Sequence, residues 1–115
     1  MNFILLNVLN SNLIKMLREP SQLYYGASTT EITITLTDSI DNYRMISVRA
    51  LWYSNFRSAH VYDIDTFRNL KTKQRLYFEN DATTGHYVEC RYVSDTQLII
   101  LTSSTTINIQ IVGII

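Results

Sequence analysis

Strict alternation in Glu31-Ile32-Thr33-Ile34-Thr35-Leu36-Thr37 leaves this chain few folding options. Successive side chains of a strand point to opposite faces, so Ile32, Ile34 and Leu36 share one side and Thr33, Thr35 and Thr37 the other. A helix needs apolar residues three and four apart, which alternation denies. β-Branched Ile and Thr also fit a pleated, half-buried surface better than a helix. The stretch predicts an antiparallel strand with one face on a core and one face wet.

The rest of the chain repeats the pattern. Tyr24-Tyr25-Gly26-Ala27-Ser28 marks a turn into this strand, and Asp38-Ser39-Ile40-Asp41-Asn42 marks the turn out of it. Residues 43–53 form the next strand; Met45, Val48, Ala50 and Trp52 alternate imperfectly, which predicts a bulge or burial on both sides. Residues 54–59 read as a loop. Residues 60–67 alternate again, with Val61 and either Tyr62 or Ile64 as core candidates, and the basic run 68–73 reads as exposed. Further strands are expected at 75–79, 87–93 and 96–102, separated by turns at 80–85 and 94–95. After a turn at 103–106 the closing strand, 107–115, places Ile107, Ile109 and Ile111 on one face and Asn108 and Gln110 on the other. Seven or eight short strands at hairpin spacing predict an all-β protein: a single antiparallel β-sandwich, jelly-roll-like, over residues 23–115. The apolar end Ile114-Ile115 is expected to be buried, in the sheet or against another subunit.

Residues 1–22 read as a separate arm. Leu6, Leu9, Leu13 and Met16 recur at gaps of three, four and three, a stripe about two heptads long. This fits a short amphipathic helix or extended arm lying on the sandwich, and equally a stem for docking or self-association. Pro20 ends either element. The apolar run at 1–17 has no basic region ahead of it, is interrupted by Asn2, Asn7, Asn10 and Asn12, and is too broken to span a bilayer. The reading is a chain without an export signal and without membrane insertion.

Composition narrows the function. Ten Lys and Arg balance ten Asp and Glu, so no basic excess exists to track a phosphate backbone, and nucleic acid is not an expected partner. The lone Cys90 allows no intrachain disulfide and reads as a buried, inert thiol. Three separated glycines build no phosphate loop. His60, Asp63 and Asp65 offer one conceivable cation site, with Asp63 and Asp65 on one strand face. Glu79 and Asp81 offer one carboxylate pair of the kind used on glycosides. Both are ordinary in a β domain, and no catalytic residue, metal or cofactor is expected.

Surface recognition is what remains. Trp52-Tyr53-Ser54-Asn55-Phe56-Arg57 gathers aromatic, amide and guanidinium groups, and His60, His86 and Tyr87 extend the set. Aromatic faces stack on sugar rings while Asn, Arg and His give directional hydrogen bonds. The candidate receptor-binding residues are therefore Tyr53, Asn55, Phe56, Arg57, His60, His86 and Tyr87. A core role for Trp52, and packing roles for Tyr53, Phe56 and His60, are the plainer alternatives.

Four stretches then stand in a recognisable order: Leu23-Tyr24-Tyr25-Gly26; the 32–40 run followed by Asp41-Asn42-Tyr43; Tyr92-Val93-Ser94-Asp95-Thr96-Gln97-Leu98; and the terminal 107–115 run with its Ile-Val-Gly-Ile-Ile ending. Together they resemble the C-terminal domain of tailed-phage tail-fibre and tail-tip proteins, over about residues 23–115. The resemblance implies a trimeric β-sandwich head on the virion surface, made in the host cytoplasm, that binds a bacterial surface glycan or protein non-covalently. The motifs are framework, so they carry over no receptor-contact residue. A chain that opens on its own arm, rather than ending a long fibre, also fits a capsid or tail decoration protein that grips other phage structural proteins through residues 1–22. A small glycan-active enzyme is a third class, resting on Asp63 and Glu79 alone.

Overall fold

The computed structural model describes residues 20–71, 74–77 and 85–115. They form eight strands: β1 (Ser21–Gly26), β2 (Ile32–Thr35), β3 (Met45–Trp52), β4 (Asn55–Asp63), β5 (Gln74–Tyr77), β6 (Tyr87–Ser94), β7 (Gln97–Thr102) and β8 (Ile107–Ile114). A short helix, α1 (Ile64–Arg68), follows β4, and a 3-10 turn occupies Ile40–Asn42. Two antiparallel sheets pack face to face, one in the order β1-β8-β3-β4 and the other β2-β7-β6-β5. The chain changes sheet between β1 and β2, β2 and β3, β4 and β5, and β7 and β8, so the two ends of the domain lie side by side as β1 and β8. This is the wrapped, jelly-roll-like antiparallel sandwich the strand spacing predicts. No helix among the described residues is long and apolar enough to cross a membrane.

Alternation builds the core. Ile107, Ile109 and Ile111 of β8, and Ile46, Val48 and Ala50 of β3, are fully buried against Val88, Leu98 and Ile100 of the other sheet. Each of the Ile, Leu and Val side chains contributes about 1.5–3 kcal/mol of transfer free energy when fully buried. In the Ile-Thr stretch, Ile34 and Leu36 are buried, while Ile32, at the start of an edge strand, is 37% exposed. Ile115 packs against the core as a half-buried chain end. Cys90 is buried, and desolvation pushes its thiol pKa up to about 12, so it is neutral at physiological pH. The β1–β2 margin is closed by bonds between the sheets: Thr37 N donates to Leu23 O (3.0 Å) and Thr37 Oγ1 to Gln22 O (3.1 Å).

Four local expectations are corrected. Residues 24–26, expected to open a turn, and Ser21 and Gln22, expected in the arm, all lie in β1. The loop expected at 54–59 shrinks to the two-residue turn Tyr53-Ser54, because β4 already starts at Asn55. The strand expected over 60–67 stops at Asp63, whose side chain accepts the Thr66 N–H (2.7 Å) and caps α1. Val61 faces outward and is 51% exposed; the buried residues of this region are Phe67 and Leu70.

Arg68, at the start of the basic run, is not free. Arg68 Nε and Nη2 donate to the two carboxylate oxygens of Asp95 (3.0 and 2.9 Å), and Nη2 also reaches Asp41 (2.9 Å). Tyr92 Oη donates to Asp95 (2.7 Å). This network ties α1 to the β6–β7 turn and the 3-10 turn. The Arg68 bonds first, and the Tyr92 bond next, hold the Asp95 carboxyl below its ordinary range. A lowered pKa gives stability that is present above the unfolded value, about 3.9, and lost as pH falls through the folded one. The melting temperature is therefore expected to drop more steeply below about pH 4 in the wild type than in Asp95→Asn; thermal melts across that range, showing equal slopes, would refute this.

Candidate functional site

The candidate site sits at the end of the sandwich that holds the β3–β4 and β7–β8 turns. Trp52 pairs with Asn55 to close the β3–β4 hairpin, and Tyr53 and Ser54 form its apex with φ of 51° and 65°. Positive φ at both central positions is the type I′ geometry, whose twist matches that of the strands. The usual occupants are Asn and Gly; a tyrosine there costs about 1 kcal/mol or more in backbone strain. Tyr53 N donates to Thr106 O (3.1 Å), tying the apex to the β7–β8 turn. The Tyr53 ring is 67% exposed.

A bulge brings Arg57 into the same cluster. Ala50 faces Ser58 and Leu51 faces Phe56, leaving Arg57 as the extra residue of β4. Its guanidinium carbon lies 5.4 Å from the Trp52 ring centroid, a cation–π contact. Trp52 also meets Tyr53 (centroids 5.6 Å apart) and His86 (4.6 Å). His86 precedes β6, so its contact with Trp52 joins the two sheets. Gly85, at φ 65°, makes the backbone turn that delivers it.

The remaining sequence candidates separate. Phe56 lies opposite Leu51 on the outer face of the sheet, 59% exposed. His60 lies further along β4 opposite Val48, where its Nδ1 and Tyr62 Oη are 3.3 Å apart. Tyr87 sits on the outer face of the other sheet, because the neighbouring Val88 points into the core. Arg75 stacks on the Tyr87 ring (3.9 Å) and donates through Nε and Nη2 to Glu89 (3.0 and 2.8 Å). Glu89 is only 5% exposed, so this pair is a partly desolvated lock between β5 and β6. Of the seven candidates, Tyr53, Asn55, Arg57 and His86 thus share the hairpin end, with Trp52 as their common support.

Sequence reasoning missed the hydroxyl-bearing turn beside Tyr53. There Thr102 Oγ1 donates to Ser104 O (3.0 Å), Ser104 Oγ and Thr106 Oγ1 are 2.9 Å apart, and Ser103 Oγ accepts Tyr87 N–H (3.0 Å). The Ser-Ser-Thr-Thr run signalled the turn, but only the fold sets it next to the aromatic apex.

The cation site does not assemble as drawn. Asp63 ends a strand and Asp65 lies in α1 beside Arg68 (3.7 Å), so the two carboxylates share no strand face. Among the described residues no group of three or more His, Cys, Asp and Glu is placed to hold a metal. Glu79 and Asp81, and the stripe Leu6, Leu9, Leu13 and Met16, lie outside the described residues. No protein-family model matches the chain, and no curated protein or solved structure matches it either.

Proposed function

We propose that this protein is a surface module of a tailed-phage particle, working as a homotrimer, and that it binds a bacterial surface glycan non-covalently through the β3–β4 hairpin end. The observation that carries the reading is Tyr53: a bulky, 67% exposed ring at both a strained backbone position and the apex of a turn, next to Trp52, Arg57 and His86. Strain of this kind persists where the surrounding structure over-determines it, and it clusters at binding sites. A rigid aromatic face with an adjacent guanidinium, imidazole and hydroxyl-rich turn suits a sugar ring and its hydroxyls. No cofactor is required.

Two variants test the reading with fluorescently labelled protein on a panel of bacterial cells and on virus particles lacking it. Tyr53→Ala is expected to lose at least tenfold in cell affinity with its melting curve nearly unchanged. Exchanging Tyr53-Ser54 for Asn-Gly is expected to raise stability by about 1 kcal/mol, since both residues then suit the turn, while losing cell binding to the same degree. Saturable binding to particles alone, unaffected by either exchange, would replace this reading by that of a capsid or tail decoration protein.

A further inference from the structure

The side of β4 that faces the core is polar. Asn55, Ser58, His60 and Tyr62 pair with Trp52, Ala50, Val48 and Ile46 of β3, so they point to the same side of the sheet as those core residues. Arg57, the bulge residue, is turned onto Trp52 on that side as well. Ala50, Val48 and Ile46 are fully buried, whereas Asn55, Arg57 and His60 beside them are exposed. The second sheet therefore leaves this part of β4 largely uncovered, as a polar ledge along one side of the sandwich. The ledge starts at the Trp52–His86 contact and ends where Tyr62 packs on Phe67 (6.0 Å). From Ser58 to Tyr62 it runs about 13 Å, longer than a single sugar ring. Ser58 Oγ is buried there without a hydrogen-bond partner, a state that costs free energy until something fills it. His60 Nδ1 and Tyr62 Oη stand 3.3 Å apart, which leaves His60 Nε2 for a further partner.

We propose that this ledge is the second half of the glycan site: with one sugar on the Tyr53–Trp52 apex, the next sugars of the same chain run along β4 over Ser58 to His60. The inference rests on the glycan reading above and adds that the receptor is an extended oligosaccharide, not a single terminal sugar. Three observations select this occupant. The ledge is continuous with the apex, because Arg57 belongs to both. Its groups are a hydroxyl, an imidazole and a phenol, each able to donate and to accept, and sugar hydroxyls do the same. The buried Ser58 Oγ lies midway between the apex and His60, where a chain leaving the apex meets it first.

The test is competition. Labelled full-length protein is bound to the bacterial cells it recognises, and fragments of those cells' own surface polysaccharide, separated by size from the monosaccharide upward, are added. Longer fragments are expected to compete about tenfold better than monosaccharides, the worth of one or two hydrogen bonds. The double exchange Ser58→Ala, His60→Ala is expected to erase that length advantage and to leave competition by monosaccharides unchanged. Tyr53→Ala is expected to weaken competition by fragments of every length. Ser58→Ala alone is expected to keep or raise the melting temperature, since it removes an unpaired buried hydroxyl, while losing several-fold in cell affinity; a purely structural serine would lower both. Equal competition by all lengths, or a length advantage that survives the double exchange, overturns the ledge and leaves the apex reading standing. No cell labelled, binding that Tyr53→Ala does not change, or binding that protease treatment of the cells abolishes while no fragment competes overturns both.

Discussion

Phe67→Ala is expected to cost about 3–5 kcal/mol and to leave the domain barely folded at 37 °C. The ring is fully buried, with Tyr62 at 6.0 Å on one side and Tyr92 edge-on at 6.3 Å on the other. It projects from a helix of five residues, far below the length at which a helix is stable in water. Removing the ring thus leaves a cavity and also removes the apolar contacts that hold α1 against Tyr62 of β4 and Tyr92 of β6. Total stabilities of such domains are about 5–15 kcal/mol, so one deletion consumes a large share. A melting temperature lowered by more than about 10 °C is expected. Phe67→Leu, which keeps most of the volume, is expected to lose no more than about 1.5 kcal/mol. Equal losses for the two variants would show that the ring fills no defined space.

The same helix shows why parts of this fold escaped the sequence. Tyr62 and Ile64 lie two apart, so the alternation of β4 runs on into the start of α1 and looks like more strand; the decisive signals are the three-residue gap from Ile64 to Phe67 and the cap, in which Asp63 meets the Thr66 N–H. The first half of β4, residues 55–59, reads as loop for the opposite reason. Both of its faces are largely exposed and it carries a bulge at Arg57, so no buried face imposes alternation. Its turn contains neither Asn nor Gly, which hid the hairpin. By contrast β2 and β8 were legible because each has one side packed on the core, and burial is what writes a period of two into a sequence. The candidate site was legible as a composition, not as a place. Tyr53, Asn55 and Arg57 were found by proximity along the chain. His86 joins them only because Trp52 reaches across to the second sheet, and Tyr87 leaves them because adjacent strand residues face opposite ways. The Arg75–Glu89 lock was invisible for a related reason: its partners are 14 residues apart and meet only when β5 and β6 pair in register.

Gly113→Ala is expected to destabilise the domain by about 3 kcal/mol, at the upper end for a single added methyl group. Conformation is not the obstacle; space is. A Cβ at residue 113 would lie 2.6 Å from Cγ and Cδ1 of the Tyr43 ring, closer than such atoms approach. The ring cannot swing away cheaply, because its hydroxyl donates to Asp38 Oδ2 at 2.9 Å and the residue is only 5% exposed. Nor can the backbone yield, since Gly113 sits in β8, with Ser21 of β1 on one side and Ile46 of β3 on the other. A double-mutant cycle isolates this clash. Tyr43→Leu alone is expected to be destabilising through lost packing and the loss of the Asp38 bond. On that background, however, Gly113→Ala should cost at least 1 kcal/mol less than it does in the wild type, because the atoms it strikes are gone. If denaturant unfolding shows the two substitutions to be additive, the clash is relieved some other way, and Gly113 is kept for a reason other than the Tyr43 ring.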